Sequence, residues 1–205
     1  MKLYIASMFL GNDTKLLTDW ISEHGNRILL VCNARDHKED RERERTFDEL
    51  NKEKLEAVGF KVDYLDLKDY FNKKDELFKL LDDYKAVFVT GGNVFVLRKS
   101  YELSGFDEYL VNNKDKDFLY GGYSAGVCIL SNTLKGYELV DPMVNPYNSD
   151  DVNTTGIGLL DYMVCPHYKS DHKECDLVDN MVNYFKEKNI KYITLKDGGS
   201  IDKIL

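Results

Sequence analysis

The chain has 205 residues, with 28 lysines and arginines against 36 aspartates and glutamates, a net charge of −8. At 43% hydrophobic and 31% charged it has the make-up of an ordinary globule, long enough to bury a sizeable core. The acidic balance argues against nucleic acid as the main partner, and no apolar run is long enough to span a bilayer.

Leu3 to Ser7 reads as a first buried strand rather than a signal peptide, because the apolar run is short and passes into Gly11-Asn12-Asp13, a turn. Asp13-Thr14 then caps an amphipathic stretch through Leu16, Leu17, Trp20 and Ile21, with His24 in a capping position at its end. Arg27 to Asn33 is an apolar run of the kind found inside parallel sheets. Asp36 through Arg45 is a mixed charge run, expected to be a solvated helical face with His37 exposed on it. The helical spacing continues from Arg41 to Val58, where Gly59 stops it.

Lys61 to Leu67 alternates like a strand, and a helix through Leu77, Leu80 and Leu81 follows. Ala86 to Thr90 is the next buried strand; it leads into Gly91-Gly92-Asn93 and a helix holding Val94, Val96, Leu97 and Leu103. Another helix is expected near Phe106 to Val111. The strand Asp117-Phe118-Leu119-Tyr120 then runs into Gly122-Tyr123-Ser124-Ala125-Gly126, with a helical pattern from Ala125 to Leu130. The stretch from Gly136 to Gly158 is irregular, and unstructured connections of that length are usually functional or mobile. A strand over Tyr162 to Tyr168 ends in Cys165-Pro166-His167, a helix spans about Leu177 to Lys186, and Lys191 to Leu195 is a last strand before the turn Lys196 to Gly199. Repeated β-α units predict one α/β domain over residues 1–205: a single doubly wound, mostly parallel sheet with helices on both faces. Ligands of such sheets bind beyond the carboxyl ends of the strands, where Gly91-Gly92 and Ser124 both fall.

Strand, small residue, serine, small residue and helix make the layout of a nucleophile elbow, which lifts a serine oxygen clear of its own backbone. Such a serine needs a base, and the base needs an acceptor that fixes its tautomer. Of the four histidines only His167 combines an apolar approach with a strand-end position; His172 lies in a polar loop close enough to line the same site. Asp197, at a strand terminus before two glycines, is the favoured third member, with Asp141 before Pro142 as its competitor. The N–H groups of Gly92 and Ala125 are the candidate oxyanion hole. Lys169, Asn93 and Arg98 are weaker candidates for contact with substrate. Cys32, Cys128, Cys165 and Cys175 lack paired ligand spacing, so reduced thiols in a cytoplasmic protein are expected; Cys165, His167 and Cys175 find no second pair that would complete a zinc site.

Four blocks together resemble the peptidase E (aspartyl dipeptidase) family of serine peptidases, related in fold to the class I glutamine amidotransferase-like proteins. They are Val87-Phe88-Val89-Thr90-Gly91-Gly92-Asn93-Val94-Phe95-Val96-Leu97, Gly122 to Gly126, Gly156-Ile157-Gly158-Leu159-Leu160 with Cys165-Pro166-His167-Tyr168, and Thr194-Leu195-Lys196-Asp197-Gly198. The resemblance implies a flavodoxin-like fold, Ser124 as nucleophile and His167 as base, with the strand-end acid, often glutamate in the family, falling on Asp197. It also implies hydrolysis of short peptides, including dipeptides with an N-terminal aspartate, with no metal or cofactor, no nucleic acid and no membrane; homo-oligomerisation is left open. Two rival readings stand beside it. One is an esterase or amidase of α/β-hydrolase type with Asp141 as the acid, and the other a silent binding domain that keeps the elbow. A glutamine amidotransferase would need cysteine at the elbow, and Cys128 comes a helical turn later.

Overall fold

The structure is a computed structural model describing residues 1–147 and 151–205. Six strands, β1 (Lys2–Ala6), β2 (Arg27–Val31), β3 (Lys61–Tyr64), β4 (Ala86–Val89), β5 (Leu119–Tyr123) and β8 (Ser200–Ile204), form one sheet in the order β3-β2-β4-β5-β1-β8. Every neighbouring pair is parallel except β1 with β8, which run antiparallel from Lys2↔Ile204 to Ala6↔Ser200. The helices are α1 (Lys15–His24), α2 (Arg41–Val58), α3 (Lys74–Tyr84), α4 (Val94–Ser104), α5 (Phe106–Asn112), the short α6 (Ala125–Cys128) and α7 (Cys175–Glu187). The expected doubly wound α/β architecture is what forms.

Its physical basis lies in the strands. Successive side chains of a strand point to opposite faces, so a strand covered on both sides must be apolar throughout. In β1, Tyr4 and Ala6 pack with Leu17, Trp20 and Leu55 of α1 and α2, while Leu3 and Ile5 face the larger core that includes Leu77, Leu97, Leu110 and Phe185. The same alternation splits β2, with Ile28 and Leu30 on one face and Leu29 and Val31 on the other. Both cores are therefore set by strand parity.

Four details differ from the sequence expectation. The helical pattern after Ser124 yields only four residues of helix, and the following chain is held in turns by Ile129 and Leu130, whose carbonyls accept from Ile157 and Leu159. The strand around residue 164 is confined to β6 (Met163–Cys165), since the backbone turns at His167 with φ +59°. It pairs with β7 (Tyr192–Thr194) in a separate two-stranded parallel sheet rather than in the main one. Strand β8 went unforeseen: its half-exposed alternation carries little apolar signal, and its place is set by pairing with β1. The irregular stretch keeps one helical turn at Tyr137–Leu139; Asn148, Ser149 and Asp150, which the expected loop includes, lie outside the described residues. Among the described residues, no helix is long and apolar enough to cross a membrane.

The elbow is seated by close backbone packing. A Cβ on Gly126 would lie 2.4 Å from the Val89 carbonyl oxygen, so only glycine lets α6 approach β4 this closely. Gly126→Ala is expected to destabilise the fold by about 1–3 kcal/mol, the usual cost of overpacking, read as a lowered midpoint in urea unfolding.

Candidate active site

Strand β5 is buried along its whole length and delivers Ser124 at its carboxyl end, half-buried at the floor of a cavity of about 410 Å³. Ser124 has φ +50° and ψ −122°, a conformation L-residues rarely adopt, at the sharp turn between β5 and α6. Its carbonyl accepts the N–H groups of Val127 and Cys128, both at 2.9 Å, which pins the turn. On the neighbouring strand end, a Cβ at Gly92 (φ +152°) would sit 2.6 Å from the Ala34 carbonyl oxygen. Among the described residues no acceptor takes the N–H of Gly92 or of Ala125.

His167 enters from the other side of the same cavity. Its ring Nδ1 lies 2.7 Å from Asp197 Oδ1, so the neutral ring donates there and keeps Nε2 as an acceptor. Ser7, just past β1, ties the pair together: its hydroxyl accepts the His167 backbone N–H at 2.8 Å and donates to Asp197 Oδ1 at 2.8 Å. Ser170 Oγ accepts the Asp197 N–H at 2.8 Å. Aspartate, one methylene shorter than the glutamate common in the family, thus reaches the imidazole in full hydrogen-bond contact. Burial pushes the His167 pKa below its ordinary value, with His172 adding to that and the Asp197 carboxylate opposing it. Among the described residues, no hydrogen bond joins Ser124 Oγ to His167. Such contacts are commonly loose before substrate is bound.

Asp141 also lines the cavity, but its carboxylate accepts the Val94 N–H at the start of α4, at 2.8 Å, instead of meeting His167. Burial raises its pKa to about 7 against the pull of that N–H. Asn93 lines the cavity with its amide already engaged, its oxygen capping Phe95 and Val96 and its nitrogen donating to the Pro142 carbonyl. Lys169 is exposed over the Tyr168 ring and does not line the cavity. Arg98 is buried elsewhere, bonded to the Thr155 carbonyl at 2.8 Å and paired with Asp107 at 2.9 Å. Both are set aside as substrate contacts.

The charge run is not simply a solvated face. Arg35 is buried, stacks on Phe47, and pairs with Glu44 and Asp48. Asp36 accepts from Tyr147 at 2.6 Å and from Lys68 at 2.8 Å. His37 is half-buried in the cavity wall instead of exposed; its Nδ1 has no hydrogen-bond partner among the described residues, and burial lowers its pKa. Lys38 and Arg43 line the cavity too and form no ion pair among the described residues. Ser7, Ser170 and these basic residues were missed by sequence reasoning. A lone serine carries no one-dimensional signal, and the fold of the 33–43 segment over the elbow is a tertiary fact.

The metal question turns on His167, His172 and Glu174, whose ligand-type atoms all lie within 4.8 Å of one another. The two rings stack face to face, with centroids 3.8 Å apart and planes at 9°. Their in-plane lone pairs therefore run side by side and do not converge on one point, so the geometry is that of a stacked pair and not a cation cage. Cys165 is buried behind the site, and all four cysteines are free thiols.

In sequence and in fold the chain is similar to proteins named as peptidases. A model of Peptidase family S51 matches residues 10–202. An uncharacterized peptidase of Listeria monocytogenes is 29% identical over 122 residues, 60% of this chain and 58% of that protein. Peptidase E of Streptomyces coelicolor is 28% identical over 123 residues, 58% of this chain and 48% of the relative. The aligned region thus spans about half the length of the curated relatives it matches. A solved structure named as a peptidase E protein from Listeria monocytogenes superposes with a TM-score of 0.76 at 23% identity, covering 100% of this chain and 98% of that one. A peptidase from an acI-B1 Actinobacterium gives 0.70 at 16% identity, covering 98% and 82%. At these identities the superpositions speak for the fold.

Proposed function

The chain belongs to Peptidase family S51, a family of serine peptidases, and from that membership we propose that it hydrolyses short peptides, with Ser124 as nucleophile, His167 as base and Asp197 as acid. The observation that carries this reading is the strained Ser124 sharing one cavity with a buried imidazole whose Nδ1 is held by a carboxylate at 2.7 Å. The uncommitted Nε2 of His167 takes the serine proton as the oxygen attacks the scissile carbonyl, and later returns it to the leaving amine. The Gly92 and Ala125 N–H groups receive the oxyanion; one such donor is typically worth about 3–4 kcal/mol of transition-state stabilisation.

Acidic peptides, including dipeptides with an N-terminal aspartate, are the proposed substrate class. Support comes from Lys38 and Arg43, which form no ion pair among the described residues and line the cavity of a protein whose net charge is −8. A site of this size also suits a short peptide better than a folded protein.

Labelling with a serine-directed fluorophosphonate is expected to give one adduct, on Ser124, in the folded protein, and a dipeptide panel is expected to show turnover biased towards acidic N-terminal residues. A folded protein that resists labelling and turns over no peptide belongs with the silent binding domains instead.

A further inference from the structure

His172 is no member of the proposed triad, yet its ring packs directly against His167. Its ring lies flat on His167, 3.8 Å between centroids and 9° between planes, on the loop that also carries Ser170. Two hydrogen bonds seat His172 itself: its Nδ1 accepts the Glu174 N–H at 3.3 Å, and its carbonyl accepts from Cys175 at the start of α7. His172 is thus fixed as a lid over one face of the base.

We infer that His172 is a positioning residue that keeps His167 in its neutral, proton-accepting form through this face-to-face contact, an inference that rests on the triad reading. Two imidazoles stacked this closely cannot both carry a proton without strong repulsion. The upper ring also shuts water from the lower one, which further disfavours its charged form. His167 therefore stays ready to take the serine proton at pH values where a free imidazole would be partly charged.

The charged groups around the pair do not cancel this. Asp197 faces His167 at the opposite ring edge and favours its protonated form, as does Glu174 more weakly. Lys173 is paired with Glu174 at 3.6 Å. Across the cavity stand Asp141, which is engaged with Val94, Arg35 and Glu44, which pair with each other, His37, which burial holds towards its neutral form, and the basic Lys38 and Arg43. The stacked ring is in direct contact with His167 and acts against its protonation.

The test is an NMR titration of the His167 ring, assigned by its loss in His167→Gln, in the wild type and in two variants that keep a flat group at position 172. His172→Phe retains the stack without a titratable charge and is expected to raise the His167 midpoint by roughly half to one pH unit. His172→Arg places a permanent planar cation there and is expected to lower it. The acid limb of kcat/KM should move the same way in each variant. A midpoint unmoved in both, or moved in the same direction in both, overturns the inference, because a purely structural role gives no reason for opposite shifts. If the Phe variant fails to fold, His172→Gln carries the same expected upward sign. The titration needs no turnover, so its failure is separable from failure of the peptidase reading, which rests on labelling of Ser124.

Discussion

Ser124→Ala is expected to lower kcat/KM for short peptides by at least about a thousandfold with the fold unchanged. The hydroxyl has no hydrogen-bond partner among the described residues, so its removal leaves no buried group stranded. The backbone strain remains, because alanine at φ +50°, ψ −122° is as uncomfortable as serine. Ser124→Gly separates the two properties. It is expected to be equally inactive yet more stable, by roughly 1 kcal/mol, since glycine enters this region without a steric penalty. Urea unfolding of both variants beside the wild type reads the difference. A glycine variant less stable than the alanine one would mean that the turn stores no strain, and an alanine variant with wild-type turnover would remove Ser124 from the chemistry.

The second large effect concerns the acid. Asp197→Asn is expected to cost about 10³–10⁴-fold in kcat, because an amide at this point can donate to Nδ1 and so stabilise the wrong tautomer of His167. It would also disturb the Ser7 hydroxyl, which donates to the same carboxylate oxygen at 2.8 Å. Asp141→Asn is expected to cost much less, under about tenfold, since the asparagine oxygen can still accept the Val94 N–H. Steady-state kinetics on one acidic dipeptide compares the two directly. The reverse ranking would transfer the acid to Asp141 and favour an α/β-hydrolase order of residues over the one proposed.

Much of this protein was legible in one dimension. The β-α rhythm, the elbow at Ser124 and the strand-end position of His167 are local patterns, and local patterns follow from side-chain period and turn chemistry. The errors cluster where a distant partner decides. Strand β8 exists because β1 offers it an edge, and α6 is short because the chain after it is claimed by Ile157 and Leu159. His37 looked exposed among charges, but the 33–43 segment folds back against the Gly91-Gly92 turn, where Asn93 donates to the Ala34 carbonyl at 2.8 Å. Lys169 looked well placed near His167, yet the backbone turns at both positions, with φ +59° and +50°, and only His167 lines the cavity.

By itself the sequence determined the layered α/β architecture, through strands apolar enough to be covered on both faces, and the presence of a serine elbow, through glycines that no other residue could replace at such close backbone approach. Only the tertiary structure decided which carboxylate contacts the imidazole, which serine bonds to both residues, and that a second imidazole lies across the first. The reason is one of range: periodicity and turn geometry act over a few residues, whereas a hydrogen bond between positions 7 and 197, or 167 and 197, exists only after the sheet has brought their strand ends to one rim.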